Sequence, residues 1–273
     1  FWMHDAGKKT EAMQAVIGAY QIEYPNVTVE LQTFPYDEYW TKFTASIQAG
    51  NGPDIAYTYF GILPGWAQSG FIIPMPDDLT AEIDETHFPF AQITKFEGTQ
   101  YGVMTSIRNF AMFYNQDLLD EAGITEIPTT WDEFAEAAQK CTKYDGNGNI
   151  LQSGYFLDWE ADGWNLWRAV VKSYGGEYVS EDGRQVLFNQ GAAIDAWEFL
   201  LKFTTEYKTS TPAFFTSEKE AFMSGLSCFT FGLTALVVQF EEGMIPDTEW
   251  GTAPMPAGPA GSYTIGSTWP VVV

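Results

Sequence analysis

The sequence predicts an α/β protein with a doubly wound start. Three observations lead there. Val27, Val29 and Leu31 alternate along one strand face, Trp40, Phe43 and Ile47 then recur at helical spacing, and Ile55–Tyr59 follows as a second short strand. Ahead of them, Phe1–Met3 reads as a strand, and Met13, Val16, Ile17, Tyr20 and Tyr24 mark an amphipathic helix. Beyond them, helix-start signals keep alternating with apolar runs to the end of the chain. Strand, helix, strand, helix, strand is a βαβ series, and the crossovers of such a series are right-handed.

Each element has a local cause. Pro35 ends the strand that begins at Val27, and Asp37 is placed to cap the next helix. Gly50, Gly52 and Pro53 stop that helix. Residues 70–76 and 80–90 read as loop and short helix. Residues 101–114 (YGVMTSIRNFAMFY) read as one long strand in which Arg108-Asn109 interrupts an apolar background. Asn115 caps a helix that ends at Gly123. Thr130 and Glu133 form a capping box ahead of Phe134, Ala138 and Cys141, and Ser217 with Glu220 forms a second one. Asn189 caps a helix marked by Ile194, Trp197 and Leu201. Residues 226–231 read as a buried strand, 249–263 as loop, and 266–273 as entry into a last strand.

Composition narrows the partners. The chain has 273 residues and a formal charge of −23, which opposes nucleic acid and anionic lipid. Its aromatic share is 16%, with ten Trp and fourteen Tyr, suited to presenting flat apolar faces with polar tips to a small molecule. Cys141 and Cys228 read as buried thiols, with a disulfide between them as the alternative. Asp145-Gly-Asn-Gly-Asn149 is a turn. Its likeness to a calcium loop fails at Ile150, which stands where the loop glycine belongs. No cofactor or metal is expected. The chain opens at Phe1 inside a strand and closes at Pro-Val-Val-Val, so both ends are read as cut, and a missing leader says nothing of compartment.

Enzyme chemistry finds no support. A glycosidase needs carboxylates on both sides of the bond, and Asp158, Glu160 and Asp162 sit in one loop. No G-x-S-x-G or H-E-x-x-H occurs, and GNGPD lacks the lysine of a phosphate loop.

Several segments, in order and at matching spacing, resemble the extracellular solute-binding proteins of sugar-importing ABC transporters, the group that includes maltose-binding protein. They are YPNVTVELQ, YDEYWTKF, AGNGPDI, WAQSGFI, YNQDLLDEAG, PTTWDEFAEAAQK, FTSEKEAFMSG and GTAPMPAG. The resemblance spans essentially the whole chain. It implies a two-lobed periplasmic-binding-protein fold, each lobe a sheet flanked by helices, with ligand held in the cleft between lobes and delivered by hinge closure. Lobe 1 would be 1–107, completed by 267–273 and a C-terminal segment read as missing, and lobe 2 would be 108–266. The crossing strands would lie near 101–114 and 267–273. The implied partners are a small-molecule carbohydrate and the ABC transporter permease subunits, with no nucleic acid. The implied setting is extracytoplasmic, as a monomer in the periplasm or a lipoprotein at the cell surface. A polyol or glycerophosphodiester on the same scaffold is the alternative ligand.

Matching motifs place the ligand-binding candidates. His4 falls in the exit loop of the first strand, Tyr36 and Glu38 in that of the second, and Thr58 and Tyr59 after GPDI. Arg108 interrupts an apolar strand and needs a partner. Trp159, Asp162 and Trp164 come from the second lobe, and Trp269 from the last crossing strand. Trp269 is read as an aromatic plate for a sugar face, and Trp40 as core. Thr58 and Gly61 stand where the maltose-binding relative carries Trp and Asp, a departure that points away from maltodextrin.

Overall fold

The structure is a computed structural model that describes residues 1–83, 91–158, 163–180 and 183–273. The chain runs β1 (Trp2–His4), α1 (Lys8–Glu23), β2 (Gln32–Phe34), α2 (Tyr36–Gln48), β3 (Ala56–Tyr57), α3 (Leu63–Gln68) and α4 (Asp77–Thr80). A small hairpin, β4 (Lys95–Phe96) and β5 (Thr99–Gln100), leads into β6 (Gly102–Asn115). Then come α5 (Gln116–Glu121), α6 (Trp131–Cys141), β7 (Lys143–Tyr144), β8 (Ile150–Tyr155), α7 (Gly163–Ser173) and α8 (Ala192–Thr205). The remainder is α9 (Glu218–Met223), β9 (Ser227–Leu233), α10 (Leu236–Gly243), β10 (Trp250–Ala253), a hairpin of β11 (Ala257–Gly258) and β12 (Gly261–Ser262), and β13 (Gly266–Val272). Residues 1–107 with 267–273 form one compact unit, and 108–266 form a second. Among the described residues no helix is long and apolar enough to cross a membrane.

In the first unit the strand order is β2-β1-β3-β13, with β1 parallel to both β2 and β3 and β13 antiparallel to β3. The chain therefore leaves β1 towards β2 and returns past it to β3. The strand order reverses at β1, and the crevice beyond the carboxyl ends of β1 and β3 is the switch point where open α/β sheets bind ligands. Tyr39 and Phe43 of α2 pack with Leu63, Trp66 and Ile72 over Ala56 and Val272. Phe43 and Trp66 stack with centroids 3.9 Å apart. Tyr39 also ties α2 to the strand ends, donating to Tyr57 O at 2.7 Å and Trp2 O at 3.3 Å. Burial raises the pKa of that phenol well above its ordinary range, against the bond to Tyr57.

The sequence expectations need correction here. The second strand is only Gln32–Phe34, the last part of the stretch from Val27 to Pro35 read as strand, and Val27 is exposed. Gln32 N donates to Phe1 O, so pairing with β1 selects the register, not the apolar alternation upstream of it. Asp37 is not the cap of α2. Pro35 is, with no side-chain bond, and Asp37 lies in the first turn, where its charge still suits the helix dipole. α1 forms where predicted but buries no residue: Met13 and Ile17 are half-covered, and Val16 is 63% exposed.

In the second unit the order is β7-β8-β9-β6-β10, with β8 and β9 parallel and the other pairs antiparallel. Phe134, Tyr155, Phe203, Phe229 and Phe231 form the centre of its core, with ring centroids 5.1–5.5 Å apart in the pairs that touch. Local capping chemistry is found as read at Asn115, which accepts from Leu118 N, and at Thr130 with Glu133. Bonds from Thr129 and Thr130 hold the Glu133 carboxyl below its usual range. Asp145 accepts from the backbone of Asn147 and Asn149 and from the Asn149 amide, so the turn occupies its own carboxylate.

Three readings change. Ser217 caps α9, but Glu220 bonds Thr216 and does not return to the cap, while Glu218 turns inward and accepts from Thr230 Oγ1 and Phe231 N at 2.6 and 2.7 Å. Gly191, not Asn189, caps α8, and its buried face is Ala193, Ala196, Phe199, Leu200 and Phe203, while Ile194 and Leu201 face out. The 249–263 segment contains β10, which pairs with β6 from Trp250 opposite Asn115 to Ala253 opposite Met112.

Candidate ligand site in the first unit

The carboxyl ends of β1 and β3 carry a cluster of rings. His4 is the last residue of β1, buried, and not in a loop as expected. Its ring lies 4.5 Å from Trp269 and 5.2 Å, edge-on, from Tyr36. Trp269 comes from β13 and sits in the middle: Tyr57 stacks on it at 5.6 Å, Trp40 at 5.9 Å, and Tyr59 and Tyr36 lie 5.4 and 6.1 Å away. The Trp269 carbonyl accepts from Thr105 Oγ1 at 2.8 Å. Only 8% of Trp269 is exposed, so this ring backs the cluster.

The rings with open surface stand around it. Tyr36, Trp40 and Thr44 fall at i, i+4 and i+8 and so share one side of α2. Facing them are Tyr59, Ile62 and Trp66, and together the six line a groove of about 340 Å³. That volume lies in the range of small-molecule pockets, roughly 300–1,000 Å³. Tyr36 is 51% exposed. Gly61 permits the arrangement, because a Cβ there would stand 2.7 Å from Cε1 of Tyr59. Lys9, which the sequence did not single out, stands over the Tyr57 ring at 4.9 Å and donates to Ser106 Oγ at 2.8 Å. Trp40 was read as core and is in fact a groove wall as well. Its helical spacing with Phe43 and Ile47 signals burial, and only its position one turn beyond Tyr36 signals the groove.

Other candidates are placed differently. Glu38 points along the outside of α2, 3.5 Å from Lys42. Thr58 is wholly buried with no hydrogen bond to its hydroxyl among the described residues, and presents no surface. In the second unit, Arg108 lies on β6 with a buried Nε that makes no hydrogen bond among the described residues. Trp164 on α7 is 49% exposed and stacks on Trp167 at 4.9 Å, which in turn stacks on Trp197 at 4.9 Å. Arg168 lies 6.0 Å over Trp164 and donates to Tyr178 Oη at 2.9 Å. Trp159 and Asp162 fall outside the described residues.

The profile of the bacterial extracellular solute-binding protein family matches residues 6–273. The chain belongs to this family. A binding protein of Brucella abortus is 29% identical to this solute-binding protein over 266 residues, 93% of this chain and 62% of the relative. An arabinooligosaccharide-binding protein of Halalkalibacterium halodurans is 25% identical over 219 residues, 78% of this chain and 47% of that protein. The solved ABC substrate-binding protein of Listeria monocytogenes, in complex with cycloalternan, superposes with a TM-score of 0.82 at 22% identity, covering all of this chain and 69% of that one. Its fold is therefore shared. The chain spans about three fifths or less of the curated relatives it matches.

Proposed function

We propose that this solute-binding protein binds a neutral sugar or oligosaccharide, with the groove of Tyr36, Trp40 and Tyr59 as an apolar subsite, and serves an ABC importer outside the cytoplasm. The observation that carries this reading is the ring groove at the switch point. Pyranose and furanose rings present C–H faces to aromatic plates and hydroxyls to their edges. Tyr and Trp match both features, with a flat face and a polar tip. The family match and the sugar-binding relative agree with it. In this reading Trp269 and Tyr57 hold the plates in place, while Trp164 and Arg108 stand as ligand groups of the second unit. The protein is a binder and not a catalyst, and the permease subunits are its downstream partners.

The test is isothermal titration of the protein against a panel of neutral oligosaccharides, including arabino-oligosaccharides, with product analysis after long incubation. At least one sugar should bind, and none should be cleaved. Tyr36→Ala should weaken that binding about tenfold or more, roughly 1.4 kcal/mol, at an unchanged melting temperature, because half of the ring is already in solvent. Turnover of any glycan, or tight binding confined to non-sugar solutes, would overturn the reading.

A further inference from the structure

Two thiols outside the site lie together in the core of the second unit. Cys141 is the last residue of α6 and Cys228 the second of β9; both are fully buried and free. α6 packs across β8 and β9, and Gln152 of β8 shows how near the two cysteines are. Its Nε2 donates to Cys141 O at 2.8 Å and contacts Cys228 Sγ at 3.7 Å. Burial, with Cys141 beside it, pushes the Cys228 thiol up.

We propose that Cys141 and Cys228 close a disulfide when the chain folds in the presence of a small-molecule disulfide, pinning the end of α6 to β9. A thiolate from one cysteine attacks the donor disulfide, such as oxidised glutathione, and releases one reduced thiol. The second cysteine then attacks the protein sulfur of the mixed disulfide and releases the other. The donor gains two electrons, and the two protons given up by the cysteines end on the released thiols. Burial disfavours the thiolate in the folded chain, so the exchange belongs to folding and the finished protein is inert to the same donor. Disulfides form and persist in extracellular settings, and the chain's family is one of extracellular proteins. The bridge crosses no part of the ring groove, so it is separable from sugar binding.

The test starts from reduced, denatured protein, refolded with oxidised or with reduced glutathione. After refolding with the oxidised form, intact mass should fall by two hydrogens, no thiol should titrate under denaturing conditions, and peptide mapping should join Cys141 to Cys228. The melting temperature should exceed that of the reduced protein by about 10 °C, the size expected for closing a long loop. Native reduced protein should keep both thiols in the same donor. In Cys141→Ser the melting temperature should no longer depend on the donor. Two free thiols after oxidative refolding of the unmodified chain, or pairing only with glutathione or with another chain, would overturn the proposal without touching the sugar reading.

Discussion

Trp269→Ala is expected to lose sugar binding by about a hundredfold or more, roughly 2.7 kcal/mol, and to destabilise the first unit at the same time. The ring touches His4, Tyr36, Trp40, Tyr57 and Tyr59, which come from β1, α2, β3 and the segment after β3. Truncating it opens a cavity at the point where all these elements meet, and such aromatic deletions cost about 3–5 kcal/mol. Trp40 then loses the surface it stacks on, and the groove loses one wall. Titration against the best sugar of the panel, together with thermal unfolding, reads both effects. Trp269→Phe should recover much of the stability and part of the affinity. Unchanged affinity in Trp269→Ala would place the sugar elsewhere. Lost affinity at full stability would make Trp269 a direct plate after all.

Gly154→Ala is expected to be the most damaging small substitution in the second unit. A Cβ at this position would stand 1.7 Å from Ala138 O and 2.4 Å from its carbonyl carbon, and both belong to the backbone of α6. No side chain can swing aside to relieve that contact. The whole end of α6 must lift from β8, taking with it the bond from Gly154 N to Thr142 Oγ1 and the seat of Cys141. The loss should exceed about 4 kcal/mol, the range reserved for backbone displacement and core disruption. Denaturant unfolding should show it as a large fall in midpoint, or as failure to recover soluble protein. A shift within about 1 kcal/mol of the parent would mean that α6 and β8 separate easily.

What was legible in the sequence follows the range of the interactions. The Thr130–Glu133 box and the Asn115 cap are bonds between near neighbours, and they stand where the residues alone placed them. The doubly wound order was legible because each crossover leaves a change of hydrophobic period. Register was not. Val27–Leu31 alternates well but lies outside β2, since pairing with β1 is decided by residues distant in the chain. The α8 face was misread in its first turns, where Ala193 and Ala196 are the buried residues and small side chains carry little hydrophobic signal, while Phe199, Leu200 and Phe203 continue that face. At the site, the rings of His4, Tyr36, Tyr59 and Trp269 lie together: His4 ends β1, Tyr36 and Tyr59 follow β2 and β3, and Trp269 sits within β13. Which ring is support and which is surface depends on stacking order, and no periodicity encodes that.

The two units also differ in how they hold together. In the second, one large apolar core backs ladders such as β6–β9, where five successive residues are paired. In the first, β3 is two residues long, its register with β1 is a single pair, and α1 buries nothing. Rings, more than hydrogen-bond ladders, keep that half closed. Its amides should therefore exchange with deuterated solvent sooner than those of β8 and β9. The same rings form the groove, so an occupant there adds its binding free energy to the weaker half, and protection on saturation should rise most at β1, β3 and the start of α2.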